Sequence, residues 1–413
     1  MNLGSAVVRL RGLSGNVAKR GGEAIQRLLA APAARRLAGT RAGVCFVVSG
    51  GPEQLYQARQ WLWSLERLAE ATAIDLGGVQ LLARHPVVAR SLANETTLPV
   101  VYAKTTRAVA NVLGEGTLVA LYPNQATLNF QALAARRPAH VHLSHGESEK
   151  VSMISNQLKA YDEVFTAGQA ARERLSRHLI GFDQGHCRDV GRPQLDEPRV
   201  PPHELAPTTS RTVLYAPTWE GDSPSMAYSS LAPAGINIVD QLLAAGRRVI
   251  YRPHPQTGTR DRATSLADAA IVRRLREAGP EHLVDRGPEL GWQWDAADEC
   301  VLDLSAMAYD ALTTDKPLVV YRPGRQAGVE AGGLLDHVTT LSGNAAGVVR
   351  EALVEASGPE RRAATAKLAR YHFGAADHGS SIVRFIDATR AVATERSAAL
   401  LAQAAARRTG EEN

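Results

Sequence analysis

Short apolar runs alternate with longer amphipathic segments along this chain, in two successive series. Apolar runs bounded by turn signals are typical of buried strands, and strands that alternate with helices predict a mostly parallel, doubly wound sheet. The first series begins at Gly43 and ends near Leu195, and the second begins at Thr212. Prolines cluster between them, which marks a linker, at Pro198, Pro201, Pro202 and Pro207. We therefore expect an α/β chain with two Rossmann-like halves.

The predicted strands lie at residues 44–49, 79–82, 100–103, 117–122, 140–143, 163–166 and 188–190 in the first series, and at 213–216, 248–251, 282–284, 300–302 and 318–321 in the second. Helices are predicted at 53–71, 236–245, 265–278, 306–313, 345–356, 360–371 and 380–407. The expected domains are a basic arm at 1–41, a first Rossmann-like domain at 42–195, a linker at 196–210, a second Rossmann-like domain at 211–378 and a helical segment at 379–413.

Composition excludes several classes of protein. Hydrophobic residues make up 45% of the 413 residues, which is enough for two cores, and the length favours two or three domains. The net charge is only +5 and aromatic residues make up 5%, so a nucleic-acid binder with stacking surfaces is not expected. The three cysteines are far apart, which fits neither a disulfide framework nor a zinc knuckle and favours the reducing cytoplasm.

Basic residues dominate the first 41 positions, which contain eight Lys or Arg residues and a single acidic residue, Glu23. Apolar residues interleave with them, but no run approaches the roughly 20 residues needed to span a bilayer. A solvated basic arm and a peripheral contact with an anionic membrane surface both remain open.

Three polar clusters each follow a predicted strand and precede a predicted helix. They are Ser144-His145-Gly146-Glu147, Arg252-Pro253-His254-Pro255 and Asp303-Leu304-Ser305-Ala306. The carboxyl ends of strands border the ligand crevice of an α/β sheet, and helix N-termini offer amide donors to anions. Together the clusters predict one site that binds a diphosphate.

These segments and others resemble motifs of the CDP-glycerol glycerophosphotransferases, the family of teichoic acid primases and polymerases. The matches follow one another in order over about residues 117 to 390: His145-Gly146 with Lys150, Tyr161-Asp162, Gly191-Arg192-Pro193-Gln194-Leu195-Asp196, Tyr215-Ala216-Pro217-Thr218-Trp219, Arg252-Pro253-His254-Pro255, Asp303-Leu304-Ser305 with Tyr309-Asp310, Lys316-Pro317, and Asp377-His378-Gly379 with Arg384. The resemblance, like the two halves, implies the GT-B architecture, with the site in a cleft between the domains.

The chain departs from the family pattern at three places. Ser144 replaces a tryptophan, Glu147-Ser148 replaces Thr-Pro, and Ala306 replaces a second serine. The last change removes one hydroxyl that could contact phosphate. The identity of the donor or acceptor is therefore less defined than the general site.

The resemblance implies a catalytic site with His145 as general base, since histidine titrates near neutrality. Arg252 and His254 would bind the diphosphate or protonate the leaving phosphate. Ser305 and Asp303 with Thr218 and Pro217 would line the donor site, while Gly146 and Lys150 would lie on the acceptor side. Glu147 would orient His145 or an acceptor hydroxyl.

Each role has a structural alternative. His145 could cap or pack, Arg252 and His254 could belong to a surface turn fixed by prolines, and Ser305 could be an ordinary N-cap. Glu147 could be an exposed residue that complements a helix dipole. His140 and His142 share a strand face, but without a nearby acidic ligand we expect no metal there and no cofactor.

The expected function is transfer of glycerol phosphate, or a related alditol phosphate, from a CDP-alditol donor to a hydroxyl of a lipid-linked or polymeric acceptor, with release of CMP. One alternative is a GT-B glycosyltransferase or epimerase that uses a UDP-sugar. Another is a catalytically silent nucleotide-binding scaffold.

Overall fold

The computed structural model describes residues 42–411, apart from 115, 144–145, 148–153, 202–204, 206, 288–290, 325–332 and 375–378. The predicted basic arm, together with His145 and Lys150, lies outside the described residues. By internal contacts the chain divides into two compact units. Among the described residues, the first contains 42–143, 157–165 and 385–411, and the second contains 146–147, 154–156 and 166–384, with the gaps given above.

A seven-stranded sheet is formed by β1 Val44–Val48, β2 Val79–Ala83, β3 Val100–Tyr102, β4 Val119–Tyr122, β5 Ala139–His142, β6 Glu163–Thr166 and β7 Cys187–Asp189, in the order β3-β2-β1-β4-β5-β6-β7. The pairings of β1 to β6 are parallel, and β1 pairs with β2 from Val44 opposite Val79. Every residue of β1 is buried, as expected where helices cover both faces of a parallel sheet. Reversal of the strand order at β1 and β4 makes this sheet doubly wound.

Six helices precede or follow these strands: α1 Leu55–Arg59, α2 Leu62–Ala71, α3 Pro86–Glu95, α4 Thr106–Gly114, α5 Asn129–Ala132 and α6 Gln169–His178. The single helix predicted over 53–71 is wrong, because the chain forms α1 and α2 with a tight turn between them. At the turn the Trp61 N–H donates to the Ala58 carbonyl at 3.0 Å, a bond three residues back. This turn places the Trp61 ring 5.3 Å from the Phe385 ring in the core of the first unit.

The second unit contains a six-stranded sheet of β8 Thr212–Ala216, β9 Arg248–Tyr251, β10 Leu283–Val284, β11 Glu299–Asp303, β12 Leu318–Tyr321 and β13 Thr339–Leu341, in the order β10-β9-β8-β11-β12-β13. All its pairings are parallel. β13 was not predicted, because it is a three-residue edge strand with two threonines and lacks the apolar run of a central strand.

Alternate residues of β8 enter two different hydrophobic clusters. Leu214 and Ala216 pack on one face of the sheet with Trp292 and Tyr309, while Val213 and Tyr215 belong to the cluster on the other face. Helices α7 Ile236–Ala244, α8 Arg262–Ala278, α9 Trp292–Ala296, α10 Ala306–Ala311, α11 Leu334–His337, α12 Val349–Ala356, α13 Pro359–Phe373 and α14 Ser380–Glu411 complete the described chain.

The strand order of the second sheet reverses between β8 and β11, which lie side by side. In an open α/β sheet the ligand crevice forms at such a point, beside the carboxyl ends of the strands. The segments that follow β8, β9 and β11 include Thr218, His254 and Ser305. Within the described residues, no helix combines the length and the apolar character needed to cross a membrane.

Candidate functional site

Asp303 fixes the loop that follows β8. The Asp303 side chain is fully buried at the end of β11, and its Oδ2 accepts hydrogen bonds from the backbone N–H of Thr218 at 2.7 Å and of Ser230 at 2.9 Å. Pro217 and Thr218 are buried as well. The carboxylate therefore shapes the backbone of the loop, and a negative charge in this place is suited to positioning rather than to direct contact with phosphate.

His254 lies in the loop after β9, and its ring is held on two sides. The backbone N–H of Gln256 donates to His254 Nδ1 at 3.1 Å. The Trp219 ring stacks on the imidazole with 6.1 Å between centroids and 19° between planes. Since Trp219 follows Thr218 directly, the β8 and β9 loops meet here.

Arg252, at the carboxyl end of β9, forms an ion pair with Asp285 and donates to the Gly287 carbonyl at 3.2 Å. Its side chain is 11% exposed. Asp285 also accepts a hydrogen bond from Gln293 at 2.6 Å. The buried Asp285 carboxylate neutralises part of the charge of Arg252. A role of Arg252 in phosphate binding stays a prediction, because the bound carboxylate competes with an incoming anion.

Ser305 is the N-cap residue of α10, but its hydroxyl makes no capping hydrogen bond. The ordinary side-chain cap considered from the sequence is therefore not formed. Gly146 lies against the first residue of this helix, because a Cβ added at Gly146 would lie 3.0 Å from the Ala306 Cβ and 3.9 Å from Arg192 Nη2. The segment after His145 thus contacts the helix that Ser305 begins.

Glu147 is buried, so the exposed glutamate considered from the sequence is wrong. Its Oε1 lies 2.7 Å from Arg174 Nη2 and 3.6 Å from His372 Nδ1. The His372 and Tyr309 rings pack in a T-shaped arrangement, with 4.9 Å between centroids. Burial by itself raises the pKa of Glu147, but the charge of Arg174 and the nearby His372 outweigh it and hold the pKa below the ordinary value. Glu147 is accordingly an ionised carboxylate inside the second unit.

A second buried ion pair joins Arg192 to Asp310 of α10. The guanidinium approaches the carboxylate at 2.9 Å and 3.2 Å, in the paired geometry that favours arginine. Four residues further on, Asp196 accepts from the N–H groups of Gly379 at 2.9 Å and Ile382 at 2.7 Å at the start of α14. The single segment from Gly191 to Asp196 thereby contacts two other segments that resemble family motifs, at Asp310 and at Gly379.

His140 makes its own buried contacts in the first unit. Its Nδ1 lies 2.8 Å from the Tyr122 hydroxyl, and its Nε2 lies 2.8 Å from the Ala135 carbonyl. Burial lowers the pKa of His140. Both ring nitrogens are therefore occupied by protein groups, which argues for a core role. In the described part of the chain, no three His, Cys, Asp or Glu side chains are arranged to hold a metal ion.

The contacts link Thr218 to Asp303, Trp219 to His254, and Gly146 to Ala306, all at the carboxyl ends of strands or the helix starts beside them.

The sequence interpretation assigns no role in the site to four residues that form buried contacts, Arg174, His372, Arg192 and Asp310. A signal for Arg174 exists, because it lies in the buried stripe of α6 between Ala170, Ala171 and Leu175. His372 shows the same signal, because it lies in the buried stripe of α13 with Leu368, Ala369 and Phe373.

The comparisons with known proteins found similar structures but no similar sequences. No protein family model matches the chain, and no curated protein matches it. A protein from Listeria monocytogenes assigned as a UDP-N-acetylglucosamine 2-epimerase superposes with a TM-score of 0.59 at 14% identity, over 86% of this chain and 97% of that one.

The wall teichoic acid polymerase TagF superposes with a TM-score of 0.54 at 11% identity, over 96% of this chain and 99% of that one. MnaA from S. aureus, solved with UDP, gives 0.52 at 11% identity, over 83% of this chain and 95% of that one. Likeness at these identities concerns the fold. The α/β fold with two doubly wound parallel sheets, expected from the sequence as GT-B-like, is thus confirmed by the structure and by its neighbours.

Proposed function

We propose that this protein is a transferase that moves an alditol phosphate, such as glycerol phosphate, from a CDP-alditol to a hydroxyl of a lipid-linked or polymeric acceptor. The observation that carries the proposal is the contact among segments that resemble motifs of one family and are far apart in sequence. Gly146 meets Ala306, Thr218 is bound by Asp303, and Trp219 stacks on His254. The TagF fold, over nearly the whole chain, supports the same assignment.

In the proposed reaction, the acceptor hydroxyl oxygen bonds to the β-phosphorus of the donor. The bond from that phosphorus to the bridging oxygen breaks, and its electron pair leaves with CMP. His145 takes the hydroxyl proton as general base. His254 and Arg252 stabilise the negative charge on the leaving phosphate. Ser305 and the N–H groups at the start of α10 donate further hydrogen bonds to it. Lys150 and Gly146 are assigned to the acceptor side.

Within this proposal Glu147 is a positioning residue. Its carboxylate is bound to Arg174 and buried, which fixes the backbone that follows His145 and Gly146. We expect the general base to depend on this anchor for its placement.

The proposal is tested by incubating purified protein with CDP-glycerol or CDP-ribitol and a lipid-linked acceptor fraction, and by following CMP release. We expect His145→Ala and His254→Ala each to lower turnover at least about a hundredfold, the usual scale for loss of a general base or an electrostatic stabiliser. His85→Ala is the matched control, because His85 is an N-cap residue of α3 in the first unit, and it should stay near wild type. Near-normal rates in both site variants would reject the assignment.

A UDP-sugar enzyme is the second candidate, and the epimerase fold at a TM-score of 0.59 together with the UDP-bound MnaA structure favours it. The same assay with UDP-N-acetylglucosamine in place of the CDP-alditols separates the two. Turnover of the UDP-sugar with inert CDP-alditols would support the second candidate. Binding of CMP without any turnover would indicate a silent scaffold.

A further inference from the structure

We propose that Trp219 is a positioning residue that holds His254 in the ring orientation and tautomer needed to donate a hydrogen bond from Nε2. The effect on turnover rests on the proposed function, whereas the effect on the ring itself does not. Two loops carry this inference, residues 219–222 after β8 and residues 254–261 after β9, which we name the two-loop clasp.

The backbone of Gln256 determines which nitrogen of the His254 imidazole carries the proton. The Gln256 N–H donates to His254 Nδ1, so Nδ1 supplies a lone pair and the neutral ring carries its proton on Nε2. A ring in this tautomer is a donor at Nε2, which suits contact with phosphate oxygens. The hydrogen bond therefore selects the chemically useful tautomer.

The plane of the imidazole ring is restrained by Trp219. Rotation about the second side-chain torsion of histidine is broad and nearly two-fold, so one hydrogen bond restrains the ring weakly. The Trp219 ring lies 19° from parallel with the imidazole, within the distance range of an offset aromatic stack. This contact restrains the plane of the imidazole, and within that plane the Gln256 N–H bond decides that Nδ1 occupies this edge of the ring.

Hydrogen bonds and an ion pair also hold the two loops of the clasp together. The Glu220 carboxylate accepts from the backbone N–H groups of Gly258 at 3.0 Å and Arg260 at 2.7 Å. The Arg260 guanidinium lies 5.8 Å from the Trp219 ring centroid and 2.8 Å from Asp222. These contacts join the tryptophan loop to the histidine loop and hold Trp219 against His254.

Ring-nitrogen NMR of full-length protein labelled with ¹⁵N-histidine tests the inference at pH 8, where an ordinary histidine is neutral. His254→Gln identifies the His254 signals. We expect wild type to show protonated Nε2 alone, Trp219→Ala to show a mixture of tautomers, and Trp219→Phe, which keeps a ring to stack, to resemble wild type. His85 is the internal control, because its Nδ1 also accepts from a backbone N–H, that of Val87 at 3.2 Å.

CMP release is measured on the same variants. We expect Trp219→Ala to lower kcat about tenfold, a fraction of the full effect of a proton donor, with KM for the donor nearly unchanged. Trp219→Phe should retain most of kcat, and Val354→Ala, at an exposed position of α12, should retain all of it.

An unchanged single tautomer in Trp219→Ala would overturn the inference, whether or not kcat falls. Equal effects of the Ala and Phe substitutions on the tautomer would overturn it as well. If wild type releases no CMP but Trp219→Ala mixes the tautomers, the proposed function fails and the positioning of His254 by Trp219 stands.

Discussion

At the scale of single residues, a carboxylate is tolerated in the interior only where cations or donors meet it. Glu147 satisfies this condition through Arg174 of α6, whose Nη2 lies 2.7 Å from its Oε1. Asp303 does so with two backbone N–H groups, and Asp310 with the forked guanidinium of Arg192. Glu147 and Asp310 each connect a loop to a helix, and Asp303 connects a strand to a loop. Such contacts explain why isolated polar residues in the sequence are compatible with a buried position.

Replacing Glu147 by glutamine is expected to destabilise the protein by about 3 kcal/mol at pH 7, because Arg174 then remains buried without its anion. Urea unfolding measures this difference. Glu360→Gln, at an exposed position of α13, should change the free energy of unfolding by less than about 0.5 kcal/mol.

The pH dependence of this difference has a definite sign. Because the folded pKa of Glu147 lies below the ordinary value of 4.5, its carboxylate stabilises the fold above that pH, and the contribution is lost as pH falls through the folded pKa. The gap between wild type and Glu147→Gln should therefore narrow below about pH 4.5. A gap that stays constant from pH 7 to pH 3 would contradict the assignment of Glu147 as an ionised partner of Arg174.

At the scale of elements, the start of α14 is held by a segment far away in sequence. Asp196 accepts from the N–H groups of Gly379 and Ile382, and so satisfies donors at the start of the helix. Gly191 lies directly against the same turn, with φ of +72°, and a Cβ there would collide with Ser381 and Arg384. The segment from Gly191 to Asp196 and the first turn of α14 thus form one packed unit.

Gly191→Ala is expected to cost about 3 kcal/mol, from backbone strain at positive φ together with the collision. Gly246→Ala is the matched control, because Gly246 has φ of +67° with open space around its Cβ position, so strain alone should cost about 1 kcal/mol. Thermal or urea unfolding compares the two. Equal costs would show that the turn of α14 yields to the added methyl group.

At the scale of the whole molecule, charge is distributed unevenly along the chain. The net charge is +5, and the first 41 residues carry eight basic residues against one acid. Basic segments near an anionic membrane contribute about 1 kcal/mol per charged side chain, and salt weakens the attraction. An acceptor linked to lipid would make such a contact useful to the proposed reaction.

Deletion of residues 1–41 is expected to abolish binding to vesicles that contain phosphatidylglycerol, while CMP release with a soluble acceptor stays close to that of the full chain. Co-sedimentation at about 0.05 and 0.5 M salt measures the first effect, and vesicles of phosphatidylcholine serve as the control. Undiminished sedimentation of the shortened protein would assign the contact to another surface.

Sequence periodicity by itself determined the fold class and nearly all strands of both sheets. The reason is that a strand covered by helices on both faces is a short, continuously apolar run, as in Val44–Val48 and in residues 213–216. Local turn chemistry likewise placed the polar clusters at strand ends. Where local signals were weak, the prediction failed, as at the edge strand Thr339–Leu341 and at the turn that divides the helix predicted over 53–71.

Only the tertiary structure decided which polar residues meet. Periodicity places a residue on a face or at an end of its own element, but the partner of Glu147 lies on α6, that of Arg192 on α10, and that of Asp196 at the start of α14. These pairs form because desolvated charges require partners, and the partners become neighbours only after the sheets and helices have packed.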